Sequence, residues 1–296
     1  MFTSLWRSAL IALLATASVP AWATQRCVVD DDQRELCLAA PAQRIIALSP
    51  GATEWVYDAG AGERLVGAVS FSDYPPQANQ LPRVGSYQRL DLEALLALQP
   101  DLVVAWRSGN PRSQVDTLIR LGVPVYFAEP GDFAGISATV HRLATLAGTE
   151  AIGHPRAAAF ADEVAALRER YRTATPVTLF YQVWDDPLMT VNDTHFISEA
   201  VRLCGGINLF GALPRLTPKL DLEAVLAADP QVIVSGGMGE DDHRWVDAWR
   251  RFPSLQAVQA GHLFFVAPST LQRPSLRLLL GTRALCDHLD QVRSDG

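Results

Sequence analysis

The sequence predicts an α/β protein of two similar lobes with mainly parallel sheets, joined by a long rigid helix, with a ligand cleft between the lobes. Three observations lead there. One phrase occurs twice, as DLEALLALQPDLVVAWRSG at 91–109 and DLEAVLAADPQVIVSGGMG at 221–239. Each copy has a capping Asp, an acid in the first turn, an apolar stripe, a Pro and then a β-rich run, so each reads as helix, turn, strand. A fainter echo pairs TEWVYDAGAGERLVG (53–67) with SEAVRLCGGINLFG (198–211), which share an acid, a helical stripe and a Gly-rich exit. Finally, strand and helix patterns alternate along both halves, as they do where crossover helices connect parallel strands.

The elements follow in order. RIIALSP (44–50) is a short β-rich run ending at Ser49, which reads as a strand-end or cap residue; ATEWVYDAG continues as a helix closed by Gly60. ERLVGAVS (63–70) is the next strand. Residues 71–90, FSDYPPQANQLPRVGSYQRL, carry too much Pro and polar content for either regular state and are expected to form a loop, and long loops in compact domains are usually functional. The first repeat, a helix at 111–121, the strand PVYFAEP (124–130) and a helix from Phe133 to Ala147 complete the first half. Residues 151–174 form an Ala-, Glu-, Arg- and Leu-rich stretch without Gly after Gly153, which predicts one helix longer than its neighbours. The second half runs from VTLFYQVW (177–184) to a terminal helix at 275–292. The expected division is therefore a leader at 1–23, a first lobe at 24–150, the connecting helix at 151–174 and a second lobe at 175–296.

Residues 1–23 combine Arg7, an apolar run from Ala9 to Val19 and the small-x-small sequence Ala21-Trp22-Ala23, the pattern of a secretory signal peptide. The first Cys, Cys27, stands too far from that cleavage point to carry a lipid anchor, so the mature chain is expected to be soluble and free, not tethered. A hydrophobic share of 49% excludes a disordered chain, and a net charge of −7 without a basic run argues against nucleic acid. Four Cys in an exported chain suggest disulfides, with three pairings open. Cys27 and Cys37 flank a short acidic segment and would close a local loop, whereas Cys204 and Cys286 would staple the second lobe. The six His show no paired ligand spacing, no metal site is assigned, and no cofactor is expected. Nor is there a G-x-S-x-G elbow, an H-E-x-x-H pair or a Walker loop, so no catalytic residue is assigned.

SDYPP (72–76), Tyr87-Gln88, DLE (91–93), PDLVVAWRSGN (100–110), LCGGINLF (203–210) and DLEAVLAADPQVIV (221–234) resemble the vitamin B12 (cobalamin) periplasmic binding proteins. These belong to the helical-backbone class of ABC-transporter substrate-binding proteins, which also carries siderophores and haem. The resemblance spans roughly residue 40 to the C-terminus. It implies capture of cobalamin or a related corrinoid and its delivery to an inner-membrane ABC permease dimer by a binding protein that is a monomer when free. It places ligand contacts at Phe71, Tyr87 and Trp106 and along Ser269, Thr270, Leu271, Gln272 and Arg273. It places transporter docking at Glu93 and Glu223, and a second-lobe disulfide at Cys204 and Cys286. Two positions depart from the usual pattern: Tyr87 stands where Trp is frequent, and Ser269 stands where an acid can occur.

The residues bear on that reading independently. A flat, partly apolar macrocycle with an amide rim needs rigid aromatic walls and a few polar anchors. Phe71, Tyr74 and Tyr87 share one irregular segment, and Trp106 ends a buried strand, where open α/β sheets place ligands. The competing reading makes Trp106 a core plug and has the loop aromatics pack on each other. Glu93 and Glu223 read singly as first-turn acids favoured by the helix dipole; their duplication instead fits two handles for a symmetric partner. A haem, siderophore or metal-ion carrier of the same fold is the alternative function, and a periplasmic hydrolase the alternative class.

Overall fold

The computed structural model describes residues 25–295, and the signal peptide expected at 1–23 lies outside the described residues. The described chain opens on a hairpin, β1 (Arg26–Val29) and β2 (Glu35–Leu38), paired antiparallel with Cys27 opposite Cys37. Next come β3 (Ile45–Ala47), α1 (Pro50–Asp58) and β4 (Leu65–Ala68). The Ser49 hydroxyl accepts the Ala52 N–H at 3.0 Å and Pro50 occupies the first turn, so Ser49 is a helix cap. The stretch 71–90 is not wholly loop. It holds a 3-10 turn at Pro76–Gln80 and ends in a small hairpin, β5 (Gly85–Ser86) and β6 (Arg89–Leu90), with Tyr87-Gln88 as its turn. Strands of two residues carry no periodicity to read.

The remainder of the first half is α2 (Leu92–Ala97), β7 (Leu102–Trp106), α3 (Arg112–Arg120), β8 (Val125–Ala128) and α4 (Phe133–Ala147), followed by α5 (Glu150–Arg170). The second half contains β9 (Val177–Gln182), α6 (Phe196–Leu203), β10 (Gly206–Asn208), α7 (Leu222–Ala228), β11 (Val232–Ser235), the one-turn helices α8 (Arg244–Asp247) and α9 (Gln256–Gln259), β12 (Leu263–Phe265), α10 (Pro268–Leu271) and α11 (Leu278–Asp295).

The two large sheets are both wholly parallel, in the orders β4-β3-β7-β8 and β10-β9-β11-β12. These are one order used twice. The chain pairs its first two strands, crosses to the far side of the first, and adds two more, so the repeated phrases at 91–109 and 221–239 occupy equivalent helix–strand units. In each sheet this crossing leaves a crevice beyond the carboxyl ends of the central strands, between β3 and β7 and between β9 and β11.

Helix α5 buries Gly153, Ala157, Phe160 and Val164, spaced four, three and four apart, as one stripe. Its early part packs on the first-lobe core and its later part on the second. Helix α4 does the same in the opposite sense: Phe133 and Ile136 join the second core, while Val140, Leu143, Ala144 and Ala147 join the first. Two packed helices, not one, therefore run between the sheets. Gly153 allows their close approach, because a Cβ there would lie 2.5 Å from the Ala144 methyl and 2.9 Å from the Ala59 carbonyl. Disulfides join Cys27 to Cys37 and Cys204 to Cys286. The second closes an 82-residue separation, a restriction of the unfolded chain that loop-entropy arguments value at roughly 4 kcal/mol. No helix among the described residues is long and apolar enough to cross a membrane.

Candidate ligand-binding cleft

Strand ends set the geometry. Because every strand of both large sheets points the same way within its sheet, the loops after β3, β4, β7 and β8 gather at one rim of the first lobe. Those after β9, β11 and β12 gather at one rim of the second. Trp106 closes β7 with its backbone N–H donated to the Asn110 Oδ1 at 2.7 Å. The Asn110 amide then donates to the Leu48 carbonyl, beyond β3, at 2.8 Å and to the Tyr87 carbonyl at 3.0 Å. One buried side chain thus ties the two sides of the crevice to the hairpin turn. Tyr87 and Trp106 meet with ring centroids 5.8 Å apart and planes tilted by 46°, forming a half-buried aromatic corner. Trp106 is partly exposed and lies outside the buried core clusters.

Gly109 makes the corner possible, since a Cβ at that position would fall 1.9 Å from the Trp106 ring. Gly109→Ala is expected to rotate the indole out of place and weaken ligand binding while changing the unfolding midpoint little, since both residues lie at the rim; parallel ligand titration and thermal unfolding check this.

Phe71 is 74% exposed, at φ +65°, a left-handed conformation that costs a bulky residue of order 1–3 kcal/mol unless its surroundings enforce it. Its neighbours do so. Ser72 is buried and accepts the Thr53 hydroxyl at 3.0 Å, and the Arg273 guanidinium donates to the Phe71 carbonyl at 3.4 Å. Tyr74, 40% exposed, lies under the Arg277 guanidinium at 3.7 Å. The loop is thus fastened from below while the Phe71 ring is held out to solvent.

The segment 269–273 arrives from the other lobe and is mostly engaged already. The Ser269 hydroxyl is buried and donates to Glu240 at 2.7 Å, Thr270 turns back to the Ala267 carbonyl at 2.8 Å, and the Gln272 amide donates to the Tyr181 hydroxyl at 3.2 Å. Leu271 corrects the expectation for this segment. It is fully buried in the second-lobe core, because a one-turn helix of alternating exposure must turn one apolar side chain inward. Arg273 pairs with the buried Glu54 at 3.0 Å and with Asp73 at 2.6 Å. Arg277 reaches Glu54 at 3.2 Å, Ser275 donates to it at 2.5 Å, and the Trp55 indole donates to the Pro274 carbonyl at 2.6 Å. Burial outweighs these partners and pushes the Glu54 carboxyl upward. This knot between α1 and the 273–277 chain also explains why the terminal helix begins at Leu278, three residues later than its sequence pattern suggests.

Asp58, one turn further along α1, accepts only a long bond from the Leu276 N–H at 3.4 Å, and burial, with a smaller contribution from Glu54, raises its carboxyl to about 7. Its native state therefore holds a proton that the unfolded chain releases near pH 4, so stability tied to this group is present below pH 4 and is lost as pH rises to 7. Asp58→Asn is expected to gain on the parent by on the order of 2 kcal/mol between pH 4 and pH 8; denaturant titrations at both pH values check it.

Glu93 and Glu223 occupy the second position of α2 and α7, after the N-cap residues Asp91 and Asp221, and both are exposed. Arg107 pairs with Asp32 at 3.0 Å. Sequence reasoning passed over Asn110 and Glu54, and also Trp184, 42% exposed and edge-on to Trp245 at 5.6 Å beyond the end of β9. Trp184 carried a readable signal: it ends VTLFYQVW as Trp106 ends LVVAW.

Two lobes built on one strand order, with Trp106 at the end of β7 and Trp184 beyond the end of β9, have the architecture of a bilobed binding protein. A family profile described as periplasmic binding protein matches residues 45–270, and the chain belongs to that family of binding proteins. It is 35% identical over 254 residues to the vitamin B12-binding protein of Vibrio campbellii, covering 86% of this chain and 91% of the relative. The crystal structure of the periplasmic vitamin B12 binding protein BtuF of Vibrio cholerae superposes with a TM-score of 0.79 at 34% identity, over 86% of this chain and 98% of that one. A periplasmic heme-binding protein, RhuT of Roseiflexus sp. RS-1, shares the fold, with a TM-score of 0.76 at 23% identity, over 85% of this chain and 99% of that one.

Proposed function

We propose that this protein captures cobalamin or a close corrinoid in the periplasm, between its lobes, and delivers it to an inner-membrane ABC importer. The observation that carries the reading is the Tyr87–Trp106 corner, tied by Asn110 to the crevice beside β3 in a chain about one-third identical to vitamin B12-binding proteins. Phe71, Tyr74, Tyr87 and Trp106 supply apolar walls for the macrocycle, and Gln272 and Arg273 supply donors for its amide rim. The family reading sets a hydrolase aside, since its members bind their cargo. Residues 1–23 export the chain; 24–150 and 175–296 act as the lobes, and 151–174 limits how far they hinge. The free protein is a monomer, and Glu93 and Glu223 address the two halves of a permease dimer. Complementation tests the reading. In a cobalamin-dependent strain lacking its own periplasmic binding protein, this chain restores growth on limiting cyanocobalamin; failure of the exported, folded protein to do so contradicts it.

A further inference from the structure

The hairpin at 26–38 precedes the family match at 45–270 and carries the acidic run Asp30-Asp31-Asp32 at its tip. Its strands pair with Cys27 opposite Cys37, and the disulfide locks that register. The tip is fastened to β8, the outer strand of the first sheet. Asp31 N–H donates to the Phe127 carbonyl at 3.0 Å, the Arg34 guanidinium donates to the Val125 carbonyl at 2.8 Å, and the buried Asp30 accepts the Arg34 N–H at 2.9 Å. A sheet edge that would otherwise offer open backbone groups is thereby covered.

From that tip two acids reach toward the aromatic corner. The Asp31 carboxylate accepts the Glu129 N–H at 2.7 Å and pairs with Arg142 at 2.5 Å. Glu129 in turn accepts the Trp106 indole N–H at 3.2 Å and the Ser108 N–H at 2.7 Å. Asp32 pairs with Arg107, the residue after Trp106, at 3.0 Å and with Arg112 at 3.0 Å. The chain of contacts runs without a gap from the disulfide-closed hairpin through Asp31 and Glu129 to the indole nitrogen, and through Asp32 to the adjoining backbone.

We propose that the hairpin 26–38 is a positioning device for Trp106: Asp31 sets Glu129, Glu129 sets the indole, and Asp32 holds the Arg107 turn, so that the aromatic wall is in place before ligand arrives. This rests on Trp106 being a ligand wall. A side chain already fixed loses less rotational freedom on binding, and for one large aromatic that preorganisation corresponds to roughly a three- to tenfold gain in affinity. Asp31, Asp32 and Glu129 are positioning residues and touch no ligand. Their contribution must therefore vanish when Trp106 is absent.

The test uses the exported protein with Asp31→Asn, Glu129→Gln and Cys27→Ser/Cys37→Ser, each made with Trp106 intact and with Trp106→Ala. Cyanocobalamin titration should show affinity lowered about three- to tenfold in each hairpin-side variant, and no further loss in the Trp106→Ala background. The indole N–H resonance of Trp106, read by NMR without ligand, should move in Asp31→Asn and Glu129→Gln even though neither substitution alters the ring. Equal losses in both backgrounds, or parent-like affinity together with an unmoved indole resonance, overturn the proposal. Should the parent bind no corrinoid, the ligand reading fails, while the resonance still decides whether the hairpin sets the indole. If the double Cys variant does not fold, Asp31→Asn and Glu129→Gln decide alone.

Discussion

Replacing Glu93 and Glu223 together by Arg is expected to abolish uptake while leaving cyanocobalamin affinity within about a factor of two of the parent. Both side chains are exposed on the first turn of equivalent helices, and neither lies in a strand-end loop of the cleft. On the proposed docking, a symmetric permease offering a cation to each lobe would gain two charge-assisted contacts from them, setting register as well as affinity. Single Ala substitutions weaken one contact each. Charge reversal places like charges face to face and costs several kcal/mol at a specific interface, so the double reversal loses most. If the acids served only their helix dipoles, each replacement would cost under about 1 kcal/mol of stability and transport would be ordinary. Transport by cells expressing each variant, measured beside ligand titration of the purified protein, separates these outcomes. Normal uptake by the double reversal rules out docking through these residues.

Glu54→Ala is expected to be the most destabilising single change in the cross-lobe knot, by about 3 kcal/mol. The carboxylate is almost inaccessible and accepts from Arg273, Arg277 and Ser275, all on the other side of the lobe boundary. Removing it leaves two largely buried guanidinium groups short of a partner, the costly way to break a buried pair. Arg273 keeps Asp73 and Arg277 keeps Ser269, which limits the loss. Glu54→Gln retains acceptors without the charge and should lie between Ala and the parent. Denaturant titration of the three proteins gives the order, and equal stability of Glu54→Ala and the parent would mean that α1 is held by Trp55 and apolar packing alone.

The repeat carried most of the architecture into the sequence. A duplicated helix–turn–strand phrase forces equivalent units, and both sheets adopt the same strand order. The Phe133–Ala147 helix and the Ser49 cap were readable because periodicity and capping are local. The hairpin at 26–38 was not, since two four-residue strands are specified by a disulfide and by the β8 edge and not by any pattern of their own. The site divides the same way. Trp106 was legible as the end of a strand and Tyr87 as part of an irregular segment, because both are local features. Glu54 could not, because its partners lie about 220 residues away and a lone acid on a helix gives no sign of burial. The burial of Leu271 was not legible either, because a segment-level resemblance does not say which side chain of a single helical turn faces inward.

Equilibrium titration of the purified mature protein with cyanocobalamin, haem and a ferric siderophore, followed by calorimetry and absorbance, bears most directly on the central claim. Saturable one-to-one binding of cyanocobalamin, tighter than either competitor, is the expected result. Absence of any thermal or spectral response to cyanocobalamin, alongside saturable binding of haem, would contradict it.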